Sequence, residues 1–403
     1  MKALVKKIIP NAVIRKYRNW EEFKTLSVDG KREVKKDNSV PLGEDPGIAV
    51  SVAAAYDWIL RAQEKSASND GGVARDYSVK KGWATSYPET TGYIIPTLID
   101  GGKYFSNKKY TDSAITALDW CEKIQLESGA FQGGRIENDP VPVIFNTGQI
   151  LIGLAAGAKE FDRYHEAMEK AANWLVNTMD SDGCWRKFGT PFAAAGEKTY
   201  ETHVSWGLLE AAKVTGNKEY GDAALKNIKW ALTKQLENGW FNDCCLDQPE
   251  SPLTHTLGYV TRGIMEGYLY SKDEELLQSA MKIAGAITTL VDDESYLPGR
   301  WNRDWTPVVS WVCLTGAVQI AHSLMIIYQE TDREKYLETA LKLNKYVRRT
   351  IRLSGDNDAM IGGFKGSYPI DGLYGKFEYL NWAAKFFIDS NMLEAEITGQ
   401  KLV

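Results

Sequence analysis

Five stretches of this 403-residue chain share one grammar: a polar or ionisable opening, then a glycine, then a small apolar body. They are Pro88 to Ile99 (PETTGYIIPTLI), Phe145 to Ala156 (FNTGQILIGLAA), Tyr200 to Gly216 (YETHVSWGLLEAAKVTG), Thr254 to Met265 (THTLGYVTRGIM) and Ser310 to Ile320 (SWVCLTGAVQI). The recurring glycines are Gly92, Gly148, Gly207, Gly258 and Gly316. A sixth such helix is expected over Leu373 to Ser390, with Gly375 as its early glycine. Between these stretches run charged segments with apolar residues at helical spacing, such as YTDSAITALDWCEKIQ and RYHEAMEKAANWLVNTM. Four of them carry a tryptophan, Trp58, Trp120, Trp174 and Trp230, spaced 62, 54 and 56 residues apart. Residues 273–291 and 332–350 supply two more.

A helix with one wet face belongs outside, and one apolar nearly all round belongs between neighbours. Six of each, alternating at a period of about 55 residues, predict one architecture. It is an all-α (α/α)6 toroid over residues 47–403, preceded by a basic N-terminal arm over residues 1–46. Each outer helix is followed by a glycine-bearing loop, as in Gly129-Ala130-Phe131, Gly183-Cys184-Trp185, Gly239-Trp240-Phe241 and Gly362-Gly363-Phe364. There the glycine makes the turn and the aromatic plugs back between helices. The longer links enter the inner helices at their N-terminal ends, so that mouth is where function is expected.

Charge narrows the partners. Residues 1–36 hold 11 Lys/Arg against 4 Asp/Glu, so the net −5 of the whole chain leaves −12 for the remainder. An acidic body argues against a nucleic-acid groove. The arm is expected to dock on the protein, with peripheral contact to an anionic membrane as the second expectation. Neither a signal peptide nor an apolar run of spanning length is evident. The five cysteines lack metal-ligand or disulfide spacing, so a reduced cytoplasmic setting with no metal and no cofactor is expected.

With hairpin period and inner-helix starts in hand, residues 48–390 resemble the six-hairpin toroid superfamily. It includes glycoside hydrolases, polysaccharide lyases and sugar epimerases. The glycine–aromatic loops also look like those of terpenoid cyclase and prenyltransferase toroids, although the acidic DxDD cluster of squalene-type cyclases is missing. The resemblance implies a carbohydrate-active enzyme, with an oligosaccharide or polysaccharide as its partner.

Helix N-termini converging on one mouth favour an anionic ligand such as a uronate carboxylate. The expected catalytic residues are Glu89, Tyr200, Glu201, His203, His255 and Asp304. Substrate contacts are expected from Asn146, Tyr368, Asp371 and Glu378, and from Arg300, Trp301, Arg303 and Trp305 in the loop YLPGRWNRDW. A guanidinium fork matches a carboxylate, and an indole can cover a sugar face. Two mechanisms stay open. In β-elimination, Asn146 and an arginine neutralise the uronate, His203 or His255 takes the proton from C5, and a tyrosine protonates the leaving oxygen. In hydrolysis, two carboxyls among Glu89, Glu201, Asp304 and Asp371 act as acid and base. A uronate or aminosugar epimerase and a non-catalytic glycan- or protein-binding toroid are the alternatives.

Overall fold

The structure is a computed structural model, and it describes residues 20–291 and 296–402. Residues 1–19 of the expected arm, and Asp292 to Ser295, lie outside the described residues. After a short helical segment over residues 20–24, helix α1 (Val28–Ser39) is capped by Ser27, whose hydroxyl accepts from the Gly30 amide. Its buried Glu33 and Asp37 pair with Lys365 at 2.9 and 2.6 Å, and Glu33 also pairs with Arg352 at 2.9 Å. The helix is thereby fixed to the last long loop of the chain.

Six hairpins follow. The outer helices are α2 (Ile48–Glu64), α4 (Lys108–Ile124), α6 (His165–Thr178), α8 (Lys218–Leu232), α10 (Glu274–Leu290) and α12 (Glu334–Arg348). The inner helices are α3 (Pro88–Tyr104), α5 (Ile144–Phe161), α7 (Thr202–Thr215), α9 (Thr254–Ser271), α11 (Leu314–Thr331) and α13 (Asn381–Thr398). Each inner helix packs on the next, and α13 returns to α3, closing the ring. The toroid expected from the repeat is therefore the observed fold. The sixth inner helix begins eight residues later than expected. Residues 373–380 instead form a loop and a strand, with Gly375 at φ 56° inside the loop.

The glycines explain why the ring can be this tight. A Cβ on Gly92 would sit 2.4 Å from Ile150 Cα, and one on Gly207 would sit 2.5 Å from the Gly148 carbonyl oxygen. One on Gly316 would lie 2.6 Å from the His255 amide nitrogen. The shared glycine marks the seam between successive inner helices, where backbone meets backbone. The loop glycines do the same for the outer ring. Gly129, at φ 89°, lies against Lys170 of α6, and Gly362, at φ 82°, against Ala54 of α2, which closes the circle. Both conformation and space demand glycine there.

Turns from inner to outer helix are short. Three inner helices end on a left-handed residue other than glycine (Asp162, Lys272, Asp332), and Asn107, Asn217 and Asp273 cap outer helices through their side chains. The opposite links are long and carry the few strands: β1 (Asp76–Ser78), β2 (Gly82–Trp83), β3 (Val312–Cys313), β4 (Ser367–Tyr368) and β5 (Glu378–Leu380). β1 pairs antiparallel with both β2 and β5, and β3 with β4. The pairing of β1 with β5 ties the first long loop to the last. No described helix is long and apolar enough to cross a membrane.

Candidate active site

A cavity of about 420 Å³ opens at the mouth where the long loops meet the first turns of the inner helices. Helix geometry selects its lining. Glu89, Phe145 and His255 each stand three residues before a seam glycine, and all three line it. Asn146 stands two residues before its glycine and His203 four. Each residue turns the helix by about 100°, so neither of these two lines the cavity. Tyr93 and Tyr259, four residues after Glu89 and His255, lie one turn deeper on the same face.

Glu89 is half-buried and makes no hydrogen bond to any described residue. Burial pushes its carboxyl up to about 8, with the Arg75 guanidinium pulling the other way. His255 Nδ1 lies 2.7 Å from Gln319 Oε1. That oxygen only accepts, so Nδ1 carries the proton and Nε2 keeps its lone pair. Burial lowers His255 to about 4 while the Gln319 bond opposes it, so the ring is neutral at pH 7. Its faces meet Tyr259 at 4.3 Å and Tyr374 at 5.3 Å. Tyr200 also lines the cavity, edge-on to Phe145 at 5.3 Å.

Two arginines complete the wall. Arg75 Nη1 pairs with Asp76 at 2.5 Å and Glu378 at 2.9 Å, and its guanidinium lies 5.1 Å from the Trp382 ring centre. Glu378 therefore orients Arg75 and does not itself line the cavity. Arg135 is less committed: its one ion pair among the described residues is to Asp76 at 3.4 Å, and 37% of its side chain is exposed. Sequence reasoning missed both arginines, although each follows a Gly-Gly pair by one or three residues.

The remaining candidates lie elsewhere, for identifiable reasons. His203 is fully buried. Its Nδ1 is 2.6 Å from Gln149 Oε1, its Nε2 has no partner, and burial with Arg262 and Lys385 nearby keeps it neutral. Asn146 is likewise buried, with neither side-chain amide atom paired. Glu201 is buried off the cavity, its carboxyl raised to about 8 by burial against the pull of Lys198. The arginine–tryptophan loop packs back on the ring. Arg300 makes a two-point pair with Asp247 at 2.7 and 2.9 Å and donates to the Ser251 carbonyl. Trp301 Nε1 donates to Thr254 Oγ1 and Trp305 Nε1 to the Asn238 carbonyl, and both rings are buried. Arg303 and Asp304 are exposed outside the cavity, with Asp304 accepting from the Thr306 amide at 3.1 Å. Tyr368 stands edge-on to Tyr346, and Asp371 accepts from Asn38 at 3.2 Å, both away from the cavity. Expectations of substrate contact at these positions are therefore corrected: Arg300, Trp301 and Trp305 hold the loop to the ring, and Arg303, Asp304, Tyr368 and Asp371 do not line the cavity. Arg300→Ala is expected to cost about 1–3 kcal/mol, because the buried guanidinium that ties the Ser251 carbonyl and the 44% exposed Asp247 to the ring is lost. A urea unfolding curve would read this, while KM for a processed substrate stays unchanged.

Comparison with known proteins agrees with this architecture. A family model described as the squalene-hopene cyclase C-terminal domain matches residues 88–263, less than half of the chain. No curated protein matches the sequence. Among solved structures, an unsaturated glucuronyl hydrolase specific for heparin superposes with TM-score 0.70 at 18% identity, covering 88% of this chain and 98% of that one. A sugar epimerase from a ruminal bacterium gives 0.69 at 12% identity, covering 91% and 98%. Cellobiose 2-epimerase from Bacillus thermoamylovorans B4167 gives 0.66 at 12%, covering 84% and 96%. At these identities the likeness establishes the fold: the chain is an (α/α)6 toroid of the six-hairpin kind.

Proposed function

We propose that this toroid is a carbohydrate-active enzyme that cleaves a glycosidic bond beside a uronate in an acidic oligo- or polysaccharide. The observation that carries the reading is Glu89: a carboxyl without a partner among the described residues, held neutral at pH 7 in an aromatic-walled cavity that also contains a neutral imidazole. Glu89 and His255 supply an acid and a base on different helices, each in the protonation state its task requires. Glu89 gives its proton to the glycosidic oxygen as the C–O bond breaks. His255 Nε2 takes a proton from water as that water attacks the anomeric carbon. Arg135, with donors to spare, meets the substrate carboxylate, and the Trp382 and Phe145 rings provide apolar faces for the sugar. The heparin-specific glucuronyl hydrolase among the similar structures supports a uronate substrate. Two-carboxyl hydrolysis has less support, because Glu89 is the one carboxyl among the described cavity-lining residues.

β-Elimination is the second reading, favoured by the unprotonated His255. There Nε2 takes the C5 proton, C4–O breaks, Glu89 protonates the departing oxygen, and a C4–C5 double bond forms. Digestion of uronate oligosaccharides in ¹⁸O-water separates the outcomes. Hydrolysis is expected to place ¹⁸O at the new reducing end without ultraviolet absorbance. Elimination gives an absorbing unsaturated end and no label. Deuterium uptake at carbon without chain shortening would replace both with epimerisation, and binding without any change would make the toroid a glycan-binding module.

A further inference from the structure

A second cavity, about 840 Å³, occupies the other end of the ring and shares no lining residue with the first. It is built on the same inner helices. Asp100 and Glu266 follow Glu89 and His255 by eleven residues, three turns along the same face, about 16 Å away. We propose that this cavity is a second ligand site that takes a neutral polyhydroxylated molecule, a mono- or disaccharide.

The argument starts from how its charges are spent. Arg262 closes on Glu266 through Nε and Nη2, both at 2.7 Å, and lies 4.2 Å from the Trp206 ring centre. Lys385, only 2% exposed, pairs with Asp389, which also accepts from Thr97 Oγ1 at 2.6 Å. Trp206 Nε1 donates to Glu210, itself paired with Lys213 at 2.7 Å. The cations deepest in the cavity are thus neutralised in place, and an anion would have to break a pair to be bound. Asp100, which also lines the cavity, has no ion pair among the described residues and is left as an acceptor.

Hydrogen-bonding capacity nevertheless remains. Arg262 Nη1 donates to His322 Nδ1 at 2.7 Å. That bond forces the imidazole proton onto Nε2, which makes no other hydrogen bond and lines the cavity as a donor. Lys385 uses one of its three N–H groups on Asp389. Glu266 Oε2 has only Lys213, at 4.0 Å. Unspent donors on His322 and Lys385 and unspent acceptors on Glu266 and Asp100 therefore share a space that also has apolar surface at Ile152, Ala156 and Tyr104. Hydroxyl groups, which donate and accept at once, fit that mixture, and pyranose C–H faces fit the apolar part. An anion fits it poorly, because the cations are already paired.

Titration calorimetry tests this on full-length Glu89→Gln, so that turnover does not interfere and the result is independent of the proposed reaction. The probes are cellobiose, maltose and sucrose, with glucuronate as the charged comparison. At least one disaccharide is expected to bind saturably with Kd below about 10 mM, at a site distinct from any that takes glucuronate. Ala156→Trp, which fills the space, and His322→Ala, which removes the donor, should each weaken it tenfold or more. Circular dichroism identifies whichever of these variants is folded, and one suffices. The proposal is overturned if no disaccharide binds, if a folded variant binds the disaccharide like its parent, or if the second-cavity variants weaken glucuronate as much as the disaccharide.

Discussion

Glu89→Gln is expected to lower turnover by about a thousandfold, the loss of a positioned general acid, while the protein stays folded. Glutamine keeps the shape of the neutral carboxyl but has no proton to give. The same substitution should change how stability depends on pH, and the sign can be worked out. The unfolded chain releases this proton near the ordinary glutamate value of 4.5, the folded chain near 8. Between those values the folded state holds more protons, so stability falls as pH rises from about 4.5 to 8. Removing Glu89 makes that fall shallower. Glu201, raised to about 8 by its own burial, contributes in the same direction, and the buried imidazoles of His203, His255 and His322, lowered from 6.5, oppose it in both proteins alike. Melting temperatures of the two proteins at pH 5 and pH 8 provide the check, and parallel lines would mean that Glu89 ionises normally.

The second large effect belongs to the seams. Gly153→Ala is expected to destabilise the toroid by about 3 kcal/mol, at the upper end of ordinary overpacking. Its new methyl would sit 2.2 Å from the Gly92 carbonyl oxygen, and a backbone atom cannot swing aside as a side chain can. Separating α3 from α5 also shifts Glu89, so activity should fall with stability. Gly285, within α10, is the control. A Cβ there meets nothing within 4 Å, and alanine should add up to about 1 kcal/mol through helix propensity. Denaturant midpoints of the two variants should move in opposite directions.

The ring was legible because successive hairpins repeat two physical requirements, a glycine where helices touch and a glycine where a loop turns onto its neighbour. Each leaves a mark at a fixed place in most repeats, and the sixth inner helix, which has no seam glycine, is the one whose start was misplaced. The site was legible only in part. Glu89 and His255 stand out because they share a position relative to the seam glycine. His203 looks equivalent in sequence, yet one extra residue turns it away from the cavity into the ring. The loop holding Arg300, Trp301 and Trp305 misled for a different reason. Guanidinium and indole groups that would grip a sugar are the same groups that pin a long loop, and only Asp247, distant in sequence, reveals which task Arg300 has. Arg75 and Arg135 were missed because loops carry no periodicity to set which residues face inward.

The central claim is that the leading ends of the inner helices enclose a carboxyl that keeps its proton at neutral pH. A carbon-13 NMR titration of the glutamate side-chain carboxyls, with Glu89→Gln to assign the resonance, measures this directly. A Glu89 midpoint near 8 is the predicted result; one near 4.5 would contradict the account.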